Sequence, residues 1–255
     1  MKGYDILGNI ALVKFERKES LRSKKKQAEQ LMKVHKIVTT VLEKKEKIKG
    51  RLRTPKTSHI AGIKTKEVLY RENNCLFRFN IDTCYFSPRL ANERKEISSI
   101  VKKGEEVLVL FGGVAPFAIV IAKTGKPKRI VSIELGRECC RYALENIKRN
   151  KVNVEIEQGD ARKKVPSLNG KFDRIVMARP NLEDSFLDVA FPKIRKSGII
   201  HYYGFYKEED AAVLKGLIEN EAKKARKKIK ILKIKKAGDI GVREFRYRAD
   251  VKVLN

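Results

Sequence analysis

The chain has 255 residues, and 42% of them are hydrophobic, which is enough for one large packed domain and a smaller one. Its 59 Lys and Arg residues against 31 Asp and Glu give a formal charge of +28, which predicts a polyanionic partner unless the organism is generally lysine-rich. No apolar run approaches the roughly 18 residues of a membrane-spanning helix, so nucleic acid is favoured over a membrane. The first residues lack the order of a signal peptide, and a cytoplasmic protein is expected.

The cysteines and histidines lack the spacing of a disulfide framework or of a metal site. No C-x-x-C pair occurs, and the histidines are few and scattered. We therefore expect reduced, buried thiols and no bound metal. The residues concerned are Cys75, Cys84, Cys139, Cys140, His35, His59 and His201.

The N-terminal third predicts a small basic α+β domain. MKGYDILGNIALVKF alternates apolar and polar residues like a strand, and the lysine-rich residues 16–49 have the apolar spacing of a helix. The basic face of that helix contacts phosphates or is simply solvated. Residues 66–86 alternate again, with turns at Asn-Asn and Ile-Asp-Thr, which indicates a small antiparallel sheet.

Beyond residue 95 the pattern changes to regularly alternating helices and strands. This alternation predicts right-handed crossovers and a parallel sheet, hence an α/β, Rossmann-like domain over residues 96–255 after a domain over residues 1–95. Two closing strands, 229–235 and 244–253, would form a hairpin at the sheet edge. The other predicted strands are 106–111, 129–134, 153–157, 173–177 and 198–203, and the predicted helices are 95–103, 116–123, 137–150 and 184–195.

Three strand ends carry the features of a nucleotide site. VLVLFGGVAPF, residues 107–117, runs from a strand through a glycine turn into a helix. Glu134 ends the next strand, where a carboxylate accepts hydrogen bonds from ribose hydroxyls, and Asp160 follows the third, within reach of an adenine amino group. Helix capping or surface charge is the alternative for both carboxylates. The loop lacks G-x-G-x-x-G, which disfavours NAD.

With these residues in place, the chain resembles the archaeal and eukaryotic tRNA guanine-37 N1-methyltransferases and their relatives in wyosine synthesis. The motifs are YDILGNIALVKF, FSPRLANER, LFGGVAPF, SIELGRECCRYALENIKRNKV, GDARKKV, FDRIVMARP and GIIHYYGF, and FSPRLANER is the most specific. The resemblance implies a class I fold, S-adenosyl-L-methionine (AdoMet) as cofactor and tRNA as partner. The oligomeric state is left open, with a monomer favoured. The family's separate N-terminal docking domain is not recognised, so a short form is expected.

The resemblance also implies roles for individual residues. Glu93 would be the general base that takes the guanine N1 proton, and Arg53 would stabilise the negative charge that then develops on O6. Tyr85 would position the base and the methyl group, while Arg89 and Arg94 would orient the site and meet phosphate. Without the resemblance, Glu93 and Arg94 are ordinary charges at a helix start, and Arg53 is one basic residue among many.

The remaining site residues follow the strand ends. Arg179 and Pro180 would contact the substrate tRNA. The implied cofactor-binding set is Phe111, Gly113, Val114, Pro116, Phe117, Glu134, Leu135, Asp160, Ala161 and Ala178.

Three positions depart from the family pattern and leave the reaction open. The acidic residue that ends the family's first strand is Val109 here, and the second glycine of its G-x-G is Ala115. Ala178 replaces an Asn beside the target base, which widens the pocket. Methylation of guanosine at N1 is the first hypothesis.

The alternatives are methylation at C7 of 4-demethylwyosine, a larger base without an N1 proton, and aminocarboxypropyl transfer to the same base. Arg89, Pro116 and Phe117 disfavour aminocarboxypropyl transfer, because the subfamily that performs it departs from the family at those motifs. A tRNA-binding module with a decayed cofactor pocket is the non-enzyme alternative.

Overall fold

The computed structural model describes residues 3–45, 56–179, 183–208, 210–241 and 243–255. It divides into two compact units, Met1–Pro88 and Arg89–Asn255. The division lies before the expected boundary at residue 95, which falls inside a helix of the second unit. That helix buries Ile97 and also Glu93, whose carboxylate is bonded to two strands of the same unit, so the whole helix belongs there.

The first unit contains a four-stranded sheet covered by one helix. The sheet order is β1-β2-β3-β4, with β2 and β3 parallel and the other pairs antiparallel. Ala28 and Leu31 of the helix pack against the apolar face of the sheet. The elements are β1 Gly3–Leu7, β2 Ile10–Lys14, α1 Leu21–Val34, β3 Thr40–Lys44, β4 Thr57–Gly62, β5 Glu67–Glu72 and β6 Cys75–Asn80.

The single helix predicted over residues 16–49 is wrong. Helix α1 ends at Val34 and strand β3 begins at Thr40, because Val38, Thr39, Thr40 and Val41 form a β-branched run that favours an extended chain. The small antiparallel sheet predicted over residues 66–86 is confirmed and has two strands, β5 and β6. Asn73 and Asn74 close that hairpin with positive φ, as a two-residue turn between twisted strands requires.

The second unit is built around a seven-stranded sheet with helices between its strands. Its helices are α2 Ala91–Ile100, α3 Pro116–Thr124, α4 Arg137–Asn150, α5 Ala161–Ser167, α6 Leu187–Ala190 and α7 Ala211–Lys224. Its strands are β7 Glu106–Leu110, β8 Arg129–Glu134, β9 Glu155–Gln158, β10 Phe172–Met177, β11 Ile194–Lys207, β12 Ile229–Gly241 and β13 Glu244–Val253.

The strand order is β12-β13-β11-β10-β7-β8-β9, and it confirms the Rossmann-like prediction. The five strands from β9 to β11 are parallel, and β13 runs antiparallel between β11 and β12. The chain proceeds outward from β7 through β8 to β9 and then returns to the other side of β7 at β10. Ligands bind outside the carboxyl ends of the strands at such a reversal.

The helix predicted over residues 184–195 is wrong in extent. Only the short α6 and a 3₁₀ turn at Phe191–Lys193 form, and β11 begins at Ile194. Pro192 cannot continue a regular helix, and Phe186 before α6 has φ +58°. Two helices, α5 and α7, were not predicted. Helix α7 has a helical signal in Leu214, Ile218 and Ala222, which are buried at four-residue spacing in the core over β11.

All four cysteines are buried, and none of them is in a disulfide. Among the residues that the structure describes, no helix has the length and apolar character needed to cross a membrane.

Candidate active site

In the loop after β7, every second residue has a positive φ angle, which strains the backbone. Phe111, Gly113 and Ala115 have φ of +60°, +56° and +64°, a region that costs a residue with a side chain about 1–2 kcal/mol. Gly112 lies so close to β8 that a Cβ there would be 2.1 Å from Ser132 Oγ, and its amide N donates to the Ile133 carbonyl at 2.8 Å. The loop is therefore held against the end of β8, with Pro116 starting α3 directly after it.

Glu134 at the end of β8 joins the glycine loop to the next turn. Its Oε2 accepts from the Gly113 amide at 2.8 Å and its Oε1 from the Gly136 amide at 2.7 Å. Burial raises the pKa of the Glu134 carboxyl, although these amide hydrogen bonds oppose the shift. A carboxylate has about four acceptor positions, so the same group has the capacity to receive hydroxyl donors as well.

Asp160 lies at the end of the neighbouring strand, β9. Its carboxylate caps α5 by accepting from the Arg162 amide at 2.9 Å. Helix capping is the alternative to a ligand-binding role for this residue. Ala161, the first residue of α5, is buried. The Gly159 amide donates to the Glu134 carbonyl at 2.8 Å, which brings the ends of β8 and β9 together. Leu135 is exposed beside them.

The far side of this edge is formed by the end of β10. Ala178 follows β10 and is half-buried. The ring of Phe111 meets that of Phe186 edge-on, with centroids 5.0 Å apart. Val114 is buried behind the glycine loop, and its carbonyl accepts a hydrogen bond from the Asn146 side chain. The predicted residues that follow β7, β8, β9 and β10 thus share one edge of the sheet.

Glu93 lies in a buried cluster of charged side chains within the second unit. Its Oε1 is 2.7 Å from Lys235 Nζ, and its Oε2 is 2.7 Å from an Arg248 guanidinium nitrogen. Tyr203 donates its hydroxyl to Oε2 at 3.0 Å. Burial and the neighbouring carboxylate raise the pKa of Tyr203 well above its usual value, so its hydroxyl stays a donor. The Tyr203 ring also lies 5.9 Å from Phe117 at the start of α3.

The cluster continues inward from Arg248. Arg248 also donates to Glu96 at 2.7 Å and to Asp250 at 3.0 Å, and Asp250 meets His201 Nδ1 at 2.6 Å. Arg174 approaches His201 Nε2 at 2.7 Å. Because a guanidinium only donates, Nε2 accepts and Nδ1 carries the proton, which makes His201 neutral. Burial accordingly lowers the pKa of His201, and its partners hold that of Asp250 low.

Comparison with known protein families identifies the family and the fold. The family model described as the TRM5/TYW2 methyltransferase domain matches residues 68–232. The chain belongs to this family. A second model, the TYW2 N-terminal domain, matches residues 1–65. The seven-stranded sheet with its one reversed strand is accordingly a class I methyltransferase fold, as predicted.

Individual TRM5/TYW2 relatives extend the similarity. The chain is 38% identical to tRNA (guanine(37)-N(1))-methyltransferase Trm5b of Pyrococcus abyssi over 81% of its own length, and it spans 61% of that relative. It is 32% identical to tRNA (guanine(37)-N(1))/4-demethylwyosine(37)-methyltransferase Taw22 of Nanoarchaeum equitans, covering 98% of this chain and 99% of that one. The crystal structure of P. abyssi Trm5b superposes with a TM-score of 0.88 at 34% identity, over 100% of this chain and 76% of that one.

Two of the arginines expected to meet phosphate or tRNA have buried side chains. Arg94 is almost fully buried, with its guanidinium 5.7 Å from the centre of the Phe117 ring. Arg179 is also buried; it lies over the Tyr202 ring and donates to the Asp184 carbonyl. The arginine fork pairs readily with aromatic faces and carbonyl groups, so both side chains support the fold.

The other predicted residues of this TRM5/TYW2 family member are placed as follows. Arg89 is exposed at the first turn of the second unit, and Tyr85 is half-buried in the first unit. Arg53 and Pro180 lie outside the described residues.

Sequence reasoning missed the partners of Glu93, namely Lys235, Arg248 and Tyr203. A usable signal exists for one pair. Arg248 and Asp250 are two residues apart on β13 and therefore share a face, and opposite charges at this spacing indicate an ion pair. The burial of that face is evident only in the structure.

The buried His201 predicts a loss of stability in mild acid. Because the folded pKa of His201 is lowered, the unfolded chain binds a proton that the folded chain does not as pH falls through 6.5. The low pKa of Asp250 acts in the same direction at lower pH. We expect the melting temperature to fall as pH is lowered from 7.5 to 5.5. His201 would lower the free energy of unfolding by at most about 1.4 kcal/mol per pH unit.

The measurement is thermal unfolding at several pH values for the wild type and His201→Gln. The Gln amide can still accept from Arg174 but does not titrate, so the dependence should become flatter. Equal slopes in the two proteins would show that another group is responsible.

Proposed function

We propose that the chain is an AdoMet-dependent methyltransferase that modifies the purine at position 37 of tRNA, with N1 of guanosine as the first target. The main support is the combination, in one TRM5/TYW2 fold, of the strand-end acceptors Glu134 and Asp160 with the buried carboxylate of Glu93. The named activity of the P. abyssi relative agrees with it.

The sheet edge suits the proposed cofactor. Glu134 would accept from the ribose hydroxyls and Asp160 from the adenine amino group, while the loop from Phe111 to Ala115 would line the methionine end. When bound, AdoMet supplies an electrophilic methyl group on a sulfonium. Val109, buried at the end of β7, offers no carboxylate for the cofactor's amino group, so backbone groups of the loop would take that role.

The chemistry at guanine requires a proton acceptor and a cation. Methyl transfer to N1 would break the S–CH3 bond of the sulfonium and leave a neutral thioether, and the N1 proton would pass to the Glu93 carboxylate. The charge that develops on O6 needs a fixed donor, and the resemblance gives this role to Arg53. Tyr203, kept protonated, would maintain the orientation of Glu93 during the transfer.

The charge of +28 supports a tRNA partner, with the basic first unit contributing phosphate contacts alongside exposed Arg89. Binding should weaken steeply as salt increases, because each neutralised phosphate releases counterions.

Methylation of 4-demethylwyosine at C7 is the second candidate. It is favoured by the N. equitans relative, which carries both activities in its name and matches over nearly the full length of both chains. The small Ala178 at the end of β10 would leave space for the larger tricyclic base. Aminocarboxypropyl transfer ranks third.

A direct test uses methyl-labelled AdoMet and two tRNAs, one with guanosine and one with 4-demethylwyosine at position 37. Nucleoside mass spectrometry is expected to find N1-methylguanosine. Label in the tricyclic base alone would exclude the N1 assignment, and an aminocarboxypropyl mass increment without label would identify the third reaction. Calorimetry with AdoMet tests the non-enzyme alternative, which predicts no binding at millimolar cofactor.

A further inference from the structure

The two charged contacts to Glu93 come from the C-terminal hairpin β12–β13. Lys235 on β12 meets one carboxylate oxygen and Arg248 on β13 meets the other, each at 2.7 Å. Both lie beyond residue 232, where the match to the family's methyltransferase domain ends. We infer that Lys235 and Arg248 are positioning residues for the methyl transfer, which fix the orientation of Glu93. This inference rests on the proposed function.

The geometry fixes the carboxylate in two directions. Lys235 also bonds Glu96, one turn further along α2, and Arg248 also bonds Glu96 and Asp250. Each cation therefore bridges Glu93 to a second carboxylate, and rotation of the Glu93 carboxylate would break both bridges. A base must be held within a few tenths of an ångström of its target, and bridged contacts of this kind provide that rigidity.

The charges of the cluster are balanced, and Lys235 and Arg248 are the cations that contact Glu93 itself. Glu93, Glu96 and Asp250 are three carboxylates, and Lys233, Lys235 and Arg248 are three cations. Lys233 lies at the edge of the cluster, 3.9 Å from Glu96. Without Lys235, the Oε1 atom of Glu93 would lose the contact that fixes it, and the carboxylate could turn away from its target.

Lys235 and Arg248 differ in what their removal tests. The Arg248 side chain is 1% exposed, and its loss would remove a buried cation that contacts Glu93, Glu96 and Asp250 at once, so folding itself would suffer. The Lys235 side chain is 24% exposed, and its aliphatic stem can be replaced by Met. Lys235→Met is therefore the informative substitution.

Lys236 provides a matched control on the same strand. It is the next residue; its ammonium contacts Glu208 and lies 3.8 Å from the centre of the Phe245 ring, and neither contact involves Glu93. Lys236→Met removes the same charge from the same hairpin, so it reports the general weakening of tRNA binding and of hairpin stability.

The experiment measures single-turnover methylation of guanosine-37 tRNA with saturating full-length protein and AdoMet. Lys235→Met is expected to slow the transfer about 10- to 100-fold. The tRNA concentration that gives half the maximal rate, and the AdoMet affinity, should stay within about twofold of the wild-type values. Lys236→Met should stay within about threefold of the wild-type rate. Lys235→Arg keeps the charge and should recover most of the rate. Lys235→Gln repeats the test if the Met variant does not fold.

Equal transfer rates for Lys235→Met and Lys236→Met would overturn the inference while leaving the proposed function intact. A Lys235→Met defect confined to the tRNA concentration dependence, or one that Lys235→Arg does not recover, would overturn it as well. No methylated nucleoside with the wild-type protein on either tRNA would overturn both the inference and the proposed function.

Discussion

Glu93→Gln should reduce N1-methylguanosine formation at least about 100-fold, because the amide cannot take the N1 proton and general-base catalysis contributes about 10²–10⁴ to a rate. The substitution preserves the size and planarity of the side chain, and its oxygen can still accept from Tyr203 and Arg248. AdoMet affinity should change by less than about twofold, since the cofactor acceptors are on β8 and β9. Single-turnover kinetics and calorimetry measure the two quantities separately.

Glu96→Gln is the matched control for this substitution. Glu96 is on the same helix and pairs with the same two cations, but its side chain is 37% exposed. Both variants remove one negative charge from the same cluster, so a general electrostatic or folding effect should appear in both. We expect less than about tenfold loss for Glu96→Gln. Similar losses in the two variants would assign Glu93 a structural role.

The second tRNA substrate sharpens this test. Methylation of 4-demethylwyosine at C7 removes no N1 proton, so Glu93→Gln need not abolish it. If the chain performs both reactions, the ratio of C7 to N1 products should rise in this variant. A parallel decline of both products would indicate that Glu93 acts on the cofactor or the fold.

The second unit was largely predictable because its fold depends on local patterns. Strand β8 and helix α4 form over the predicted residues, and β7, β10 and α3 differ by one residue at one end. Buried parallel strands produce continuous apolar runs, and the intervening amphipathic helix has a clear spacing. The prediction failed where tertiary context or single residues decide whether a helix continues. Examples are Pro192 and the β-branched run at the start of β3.

The site was predictable only where it depends on strand ends. Glu134 and Asp160 follow consecutive parallel strands, and topology alone brings such residues to one edge. Whether a charged side chain points outward is not set by local sequence, so the burial of Arg94 and Arg179 could not be predicted. The partners of Glu93 are more than 100 residues away along the chain, and only the completed sheet brings them together.

Glu134→Ala should weaken AdoMet binding about 100-fold. The carboxylate would accept the ribose hydroxyls, and hydrogen bonds to a charged group contribute about 1.5–3 kcal/mol each. The change also leaves the Gly113 and Gly136 amides without the acceptor that orients the glycine loop. Both effects act on the cofactor, so tRNA binding in the absence of AdoMet should remain as in wild type.

Glu138→Ala controls for the loss of a negative charge near the same helix start. Glu138 lies in the first turn of α4, and its exposed side chain pairs with Arg141 on the helix surface. Its removal should therefore leave AdoMet affinity within about twofold of the wild-type value. Calorimetric titration of AdoMet into both variants measures the difference. Equal affinities would show that the cofactor is held without the carboxylate of Glu134.

The raised pKa of Glu134 gives this prediction a pH signature. Because burial favours the protonated carboxyl, Glu134 gains its proton above the ordinary value of 4.5 as pH falls, and a protonated carboxyl accepts fewer hydroxyl donors. Wild-type AdoMet affinity should therefore decline in mild acid, before ordinary carboxylates titrate. Glu134→Ala lacks the titrating group, so its weaker affinity should be less sensitive to pH over the same interval. Parallel pH dependence in both proteins would mean that the responsible group lies elsewhere, on the cofactor or on another side chain of the strand-end edge.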